Sequence, residues 1–361
     1  MDGLTMNFTT VLTLYKNFCK TTNNSQKLLK CTVLKLLSPP VKTNRQTTEN
    51  LIYRKQGKGT FVSEAGGVLK KQVAIIVYHS DNPYYSKVVK GIVQKMSSES
   101  FNVFLANSEG LPEKETEHIK RLINSVDAFI VSPSPQSMQY SEGVKFIIDC
   151  GIPLTLVTST VTGNPLTASV NYVIPDDCSG AFIGTGHLIE CGYRNLRFLT
   201  TGNINSDTDW ERLRGFKFAL ANRGIDFNES MVVKITSNDV FNGYEADGFQ
   251  AGKNLELPDA PLGIFACGDP MAIGMMRALK ERGVKIPEEV GICGFDDIDL
   301  ARQWGIELTT IAQKCGEMGE MAAEITLEKL RNPRGAVTHV TVPVELVIRN
   351  TTKKLKEALS A

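Results

Sequence analysis

The stretch ACGDPMAIGMMRALKERGVKIPEEVGICGF, Ala266–Phe295, decides the fold. Its middle reads as a helix over 270–282. Asp269 can cap that helix, Pro270 fits its first turn, where a missing N–H costs nothing, and Gly283 ends it. Short apolar runs flank it, LGIFAC before and VGICGF after. A buried strand, a helix and a second buried strand make a β-α-β unit, whose strands run parallel.

The same rhythm extends outward in both directions. Upstream, VAIIV (73–77) is followed by a helix with Tyr85, Val88, Val89, Ile92, Val93 and Met96 on one face. FNVFLA, a charged helix after Pro112, VDAFIVSP, a helix near 138–150 and IPLTLV come next. A second series follows: a helix over about 176–191, LRFLT, a helix over about 209–223, MVVKI, a helix around 240–254, and then the opening unit. VTVPVELVIR reads as one closing strand. The fold class is therefore α/β, with two doubly wound parallel sheets in two lobes that form a clamshell. The ligand of such a fold sits beyond the carboxyl ends of the strands, between the lobes.

Bulk properties bound the function. Of 361 residues, 42% are apolar, enough for folded cores. Net charge is only +1 but unevenly spread. Residues 1–72 hold 12 Lys/Arg against 3 Asp/Glu, and the remainder 28 against 36. A basic head on an acidic body suits a polyanionic partner for the head, and equally a solvated basic tail. The eight cysteines show no C-x-x-C or zinc spacing, so reduced thiols and no metal are expected. No apolar run approaches a membrane span, and no secretory leader is legible, so a cytoplasmic protein without membrane contact is expected.

Strand ends hold the candidate ligand residues. YHSDNPYY follows the first strand with His79, Tyr84 and Tyr85, and an aromatic face there can stack on a sugar ring or a base. Packing into the helix–sheet interface is the alternative for either tyrosine. DTDWERLRGF carries Arg212, a five-donor fork for hydroxyls or a carboxylate, with a solvated surface arginine as the alternative. GFDDID places Asp296 and Asp297 after a strand, as a hydroxyl acceptor or a paired-carboxylate site. In ACGDP, capping competes with ligand contact at Asp269. No phosphate loop, nucleophile elbow or H-E-x-x-H motif is found, so binding is favoured over catalysis and no cofactor is expected.

SDNPYYSKVVKGI, DWERLRGFKFAL, ACGDPMAIGMMRALKERGVKIPEEVGICGFDDIDLA, LTTIAQ and PVELVIRNTT occur in order over about 72–351. Together they resemble the effector domain of LacI/GalR-type repressors, whose fold is periplasmic-binding-protein-like. The resemblance implies a first lobe of about 72–159 with 293–320, a second of about 160–292 with 321–351, and a tail at 352–361. It implies ligand contacts at His79, Tyr84 or Tyr85, Arg212 and Asp296. Gly268 stands where an Asn is common and Thr158 where an Asp is common, so the ligand need not be the usual hexose. A homodimer is also implied.

The head answers to another family. NLIYRKQGKGTFV is similar to the end of a GntR-type winged helix, within a head over 1–66 that a linker at 67–72 joins to the body. That resemblance implies a wing at 53–62. Gly57 and Gly59 would allow its tight turn, and Arg54, Lys55 and Lys58 would contact phosphate or a narrow groove. TNRQTT (43–48) looks like the start of the recognition helix, with Arg45, Gln46 and Thr47 in base-reading positions. ENLIYR follows at once, so much of that helix is missing and the head reads as degenerate. A GntR-type head on a LacI-type body resembles arabinose-responsive repressors. The expected function is a repressor that senses a small sugar, with an arabinose-like pentose preferred and operator DNA as partner. The alternative is a cytosolic sugar-binding protein whose head does not bind DNA.

Overall fold

A computed structural model describes residues 70–134, 138–201, 207–235 and 243–355, together with the backbone of 52–55 and 59–62. The chain divides into two units, Met1–Leu69 and Lys70–Ala361.

In the first unit, β1 (Ile52–Lys55) pairs antiparallel with β2 (Gly59–Val62), Arg54 opposite Thr60 and Lys55 opposite Gly59. This is a hairpin where the wing was expected. Of the expected DNA contacts, Arg54, Lys55 and Gly59 lie on its strands. Arg45, Gln46, Thr47, Gly57 and Lys58 lie outside the described residues.

The second unit holds two six-stranded sheets. The first contains β3 (Gln72–Val77), β4 (Asn102–Asn107), β5 (Ala128–Val131), β6 (Leu154–Val157), β7 (Asn171–Pro175) and β13 (His339–Val342). Their order is β13-β7-β6-β5-β3-β4, with every pair parallel. Strand β3 shows why the run VAIIV is apolar throughout. Val73, Ile75 and Val77 enter the core on one face of the sheet, and Ala74 and Ile76 enter the other. Helices α1 (Pro83–Ser98) and α8 (Cys315–Arg331) cover the first face. Helices α2 (Pro112–Leu122) and α3 (Glu142–Asp149) cover the second.

The second sheet contains β8 (Asn195–Thr200), β9 (Val232–Lys234), β10 (Leu262–Ala266), β11 (Val290–Asp296), β12 (Thr309–Ala312) and β14 (Glu345–Val347). Its order is β14-β12-β11-β10-β8-β9, antiparallel only at β12–β14. The helices of this lobe are α4 (Asp177–Glu190), α5 (Asp207–Ala221), α6 (Gly243–Asn254) and α7 (Asp269–Glu281).

Sheet membership moves the expected lobe boundaries. Strand β7 belongs to the first sheet although it follows residue 160. Strand β12 and the part of β11 from Cys293 onward belong to the second, although the expected first lobe includes 293–320. Most of α8 and all of β13, expected in the second lobe, are in the first. The chain crosses between lobes three times: after β7, between β12 and α8, and between β13 and β14. The last crossing splits the single closing strand expected over VTVPVELVIR. Pro343 sits at the break and has no N–H to continue a ladder.

The ends of the unit are tied down further than expected. Asp127 accepts from Lys70 N and Gln72 N at 3.0 Å each, so the linker already ends at Lys70. In the expected tail, Thr352 is buried against His187 Nε2 at 2.9 Å, and Leu355 N donates to Cys191 O at 2.8 Å.

Candidate functional site

The carboxyl ends of both sheets open on one cavity of about 140 Å³ between the lobes. Seven of the eight expected ligand residues line it: His79, Tyr84, Tyr85, Thr158, Arg212, Gly268 and Asp296.

The first lobe supplies an aromatic wall. Pro83 occupies the first turn of α1, and Asn82 Oδ1 caps it by accepting from Tyr84 N at 2.9 Å. That start fixes two consecutive tyrosines at the mouth of the sheet. Tyr85 stacks on Tyr78 with ring centroids 6.3 Å apart, and Tyr84 meets Tyr85 edge-on at 5.0 Å. Burial raises the pKa of all three phenols, so they are neutral donors and acceptors around pH 7. His79 lies edge-on to Tyr78 at 4.9 Å, and burial lowers its pKa, which favours the neutral ring. Thr158 bends the chain at the end of β6 with φ 74°, a strained value for a β-branched residue. Its hydroxyl lies 2.7 Å from Ser132 Oγ.

The second lobe supplies an ionic wall. Gly215 lets α5 approach α4 closely, since a Cβ there would overlap the Cys178 carbonyl oxygen. This approach brings Arg212 against Asp177, with Nε donating to Oδ1 at 2.8 Å. The guanidinium also donates to the Cys267 carbonyl, stands 3.7 Å from Asp296 Oδ1, and lies over the Phe295 ring at 3.6 Å. Burial alone would lower the Arg212 pKa, but Asp177 and Asp296 raise it, so the charge is secure. Burial pushes the Asp177 carboxyl up to about 6, against the downward pull of Arg212. Burial likewise raises Asp296, again opposed by Arg212.

Asp296 and Asp297 do not form a paired-carboxylate site. Both have positive φ, 108° and 50°, and this elbow sends the side chains into separate networks. Asp296 accepts from Gln313 Nε2 at 2.7 Å, beside Arg212. Asp297 accepts from Arg302 and Arg349 at 2.6 Å each. Across the cleft, Lys87 on α1 donates to the Asp297 carbonyl at 3.3 Å and pairs with Asp299 at 2.9 Å. The elbow thus joins a ligand-facing carboxylate to a contact between lobes. A second tie comes from Asp207 at the start of α5, which accepts from Thr160 Oγ1 at 2.9 Å and Thr162 N at 2.8 Å.

Asp269 is the exception among the expected residues. It neither caps α7 nor lines the cavity. Gly268 holds the N-cap position, and the Asp269 carboxylate turns into the sheet, accepting from Ile298 N at 2.9 Å and Thr310 Oγ1 at 2.5 Å. Its place is structural, pinning the elbow to α7.

Sequence reasoning missed Tyr78, Asp209, Tyr244 and Asp177. Asp209 lines the cavity and accepts from Thr200 Oγ1 at 2.7 Å and Thr201 Oγ1 at 2.5 Å. It lies one helical turn before Arg212, a spacing that could have flagged it. Tyr78 directly follows β3, also a legible position. Asp177 and Tyr244 carried no such signal, because their partners are distant in sequence. Among the described residues no group of three or more His, Cys, Asp or Glu could hold a metal ion. None of their helices is long and apolar enough to cross a membrane.

Residues 185–352 match the periplasmic binding protein-like domain. The chain is similar to the HTH-type transcriptional repressor PurR of Haemophilus influenzae, 27% identical over 289 residues, covering 79% of this chain and 82% of the relative. It is also similar to the ribose operon repressor of the same species, 26% identical with the same coverage. Among solved structures, a LacI family transcriptional regulator from Enterococcus faecium with bound ribose superposes with TM-score 0.68 at 26% identity. That match covers 79% of this chain and all of that one. The parallel-sheet fold is thus that of LacI-family effector domains, and these relatives are transcriptional regulators.

Proposed function

We propose that this protein is a sugar-responsive transcriptional repressor of the LacI type, working in the cytoplasm as a homodimer. One observation carries the reading. An aromatic wall and a clamped guanidinium face each other across a cleft whose lobes are joined by three chain crossings. A sugar ring stacks its C–H face on the tyrosines, while Arg212 donates to its hydroxyls and Asp296 accepts from them. The likeness to a regulator holding ribose supports a small sugar.

The preferred ligand is a pentose, arabinose-like or ribose-like. Gly268 and Thr158 have shorter side chains than the Asn and Asp common at those positions in the family this chain resembles. At Gly268 a Cβ would meet Asp296 Oδ2 only at 3.6 Å, so the glycine leaves room and removes hydrogen-bonding capacity. Closure on the sugar loads the Asp296–Asp297 elbow and the Lys87–Asp299 contact, which changes how the lobes meet. A repressor is released only if the sugar binds the DNA-incompetent state more tightly. The paired strands β1 and β2, in the basic head, are the proposed DNA contact.

A second reading keeps the sugar and drops the DNA. The shortened stretch after TNRQTT favours it. The test is a thermal-shift screen of the full chain against pentoses and hexoses, then duplex binding across a salt series. A sugar that binds the folded state raises the melting temperature. DNA binding that weakens steeply with salt supports a working head, and no DNA binding at any salt supports the second reading. A flat sugar panel rejects both.

A further inference from the structure

We infer that the cleft selects an uncharged or amine-bearing sugar and rejects phosphorylated and acidic ones, a refinement that rests on the carbohydrate reading above. Three carboxylates line the cavity, Asp207, Asp209 and Asp296. Arg212 is the one Lys or Arg among the described lining residues, and it is already tied to Asp177 and Asp296. His79 adds no dependable positive charge, because its burial favours the neutral ring. The neighbouring Lys87 is tied to Asp299 and to the Asp297 carbonyl. The segments 135–137, 202–206 and 236–242 contain no Lys or Arg, so they bring no cation.

Burial raises the Asp296 pKa and so weakens its charge, but Asp207 and Asp209 still outnumber the single Arg212. The balance of the described wall is therefore negative, in a setting where like charges repel more strongly than in water. Among the described lining residues, a phosphate or carboxylate entering beside Asp209 meets only one Lys or Arg, Arg212, which is already engaged. A hydroxyl or an ammonium group, in contrast, can donate to Asp209. Thr200 Oγ1 and Thr201 Oγ1 both donate to its Oδ2, so this carboxylate already acts as a hydroxyl acceptor at the cavity wall. The helix N-terminus of α5 and the threonine contacts stabilise the carboxylates of Asp207 and Asp209.

The test compares matched ligands on the full chain by calorimetry and thermal shift: ribose with ribose 5-phosphate, glucose with glucose 6-phosphate, glucuronate and glucosamine. For whichever parent sugar binds, the acidic derivative should bind at least about 10-fold more weakly, while the amine binds no more weakly than the acid. Asp209→Asn should narrow the gap between neutral and acidic forms, which a purely steric exclusion would not do. Asp207→Asn provides the same readout if the first variant folds poorly. An acidic derivative binding as tightly as its parent overturns the inference, and so does a gap unchanged in both variants. No binding by any parent sugar overturns the carbohydrate reading itself and this inference with it.

Discussion

The two walls of the cleft are built on opposite principles. The first lobe offers tyrosines whose hydroxyls are neutral and whose positions come from a helix start, Asn82 and Pro83, and from ring–ring contact. The second offers charges, Asp177, Asp209, Arg212 and Asp296, positioned by one another. An aromatic wall tolerates change in a ligand's hydroxyl pattern, because stacking reads a face and not a donor. An ionic wall does not, since every unmatched donor or acceptor there carries a desolvation cost. Affinity should thus be shared between the walls, while discrimination among sugars belongs to the second.

Removing Arg212 should break the contrast most severely. Arg212→Ala leaves Asp177 and Asp296 buried without their cation, a change worth about 3–5 kcal/mol of stability. Chemical denaturation should show that loss, and calorimetry should show no sugar binding in whatever fraction stays folded. Arg212→Lys keeps a charge but not the fork, and should recover stability better than affinity. Sugar binding by Arg212→Ala as tight as in the parent would refute the role given to the ionic wall.

Glu115 tests whether the first lobe is as free of buried charge as its cleft wall. It is fully buried on α2, accepting from Ser134 N at 2.7 Å and from Ser141 Oγ at 2.5 Å, and burial pushes its carboxyl up to about 7. A carboxyl with a folded pKa above its unfolded value lends stability that is full below pH about 4.5 and is lost as pH rises through about 7. Glu115→Gln, which mimics the protonated form, should therefore be more stable than the parent at pH 8 by about 1–3 kcal/mol. The difference should vanish by pH 4.5. Melting curves across that range check the sign.

Tyr85→Ala should weaken sugar binding by about 1–2 kcal/mol through loss of the stacking face. Tyr85→Phe should cost less than Tyr85→Ala if the ring does the holding. Equal losses in the two variants would show that the hydroxyl matters as much as the face. The smallest effect belongs to Lys87→Gln, which cuts the contact from α1 to Asp299. Its Asp299 partner is well exposed, so the loss should stay below about 1 kcal/mol. Small-angle scattering with and without sugar would show whether closure is nonetheless impaired.

Local chemistry alone placed much of this protein. Continuous apolar strands, helix starts at Pro83, Pro112 and Pro270, and glycines at helix ends define the β-α rhythm without reference to tertiary contacts. Strand ends then offer Tyr84, Tyr85, Arg212 and Asp296 as candidates, because in parallel sheets the open ends are where ligands fit. The resemblance to LacI/GalR-type effector domains adds His79 and favours Arg212 over a surface role. The tertiary structure alone decided which lobe owns each late segment, because a strand joins the sheet where its ladder partner is free and not the sheet nearest in sequence. Strands β13 and β14 stand side by side in the chain and in different sheets. It also decided the fate of two neighbouring carboxylates and a third. Asp296 faces the cleft, Asp297 faces Arg302 and Arg349, and Asp269 faces Thr310. A sequence presents the three as alike. Two positive φ angles and the burial of Asp269 separate them, and both depend on packing that brings together residues far apart in the chain.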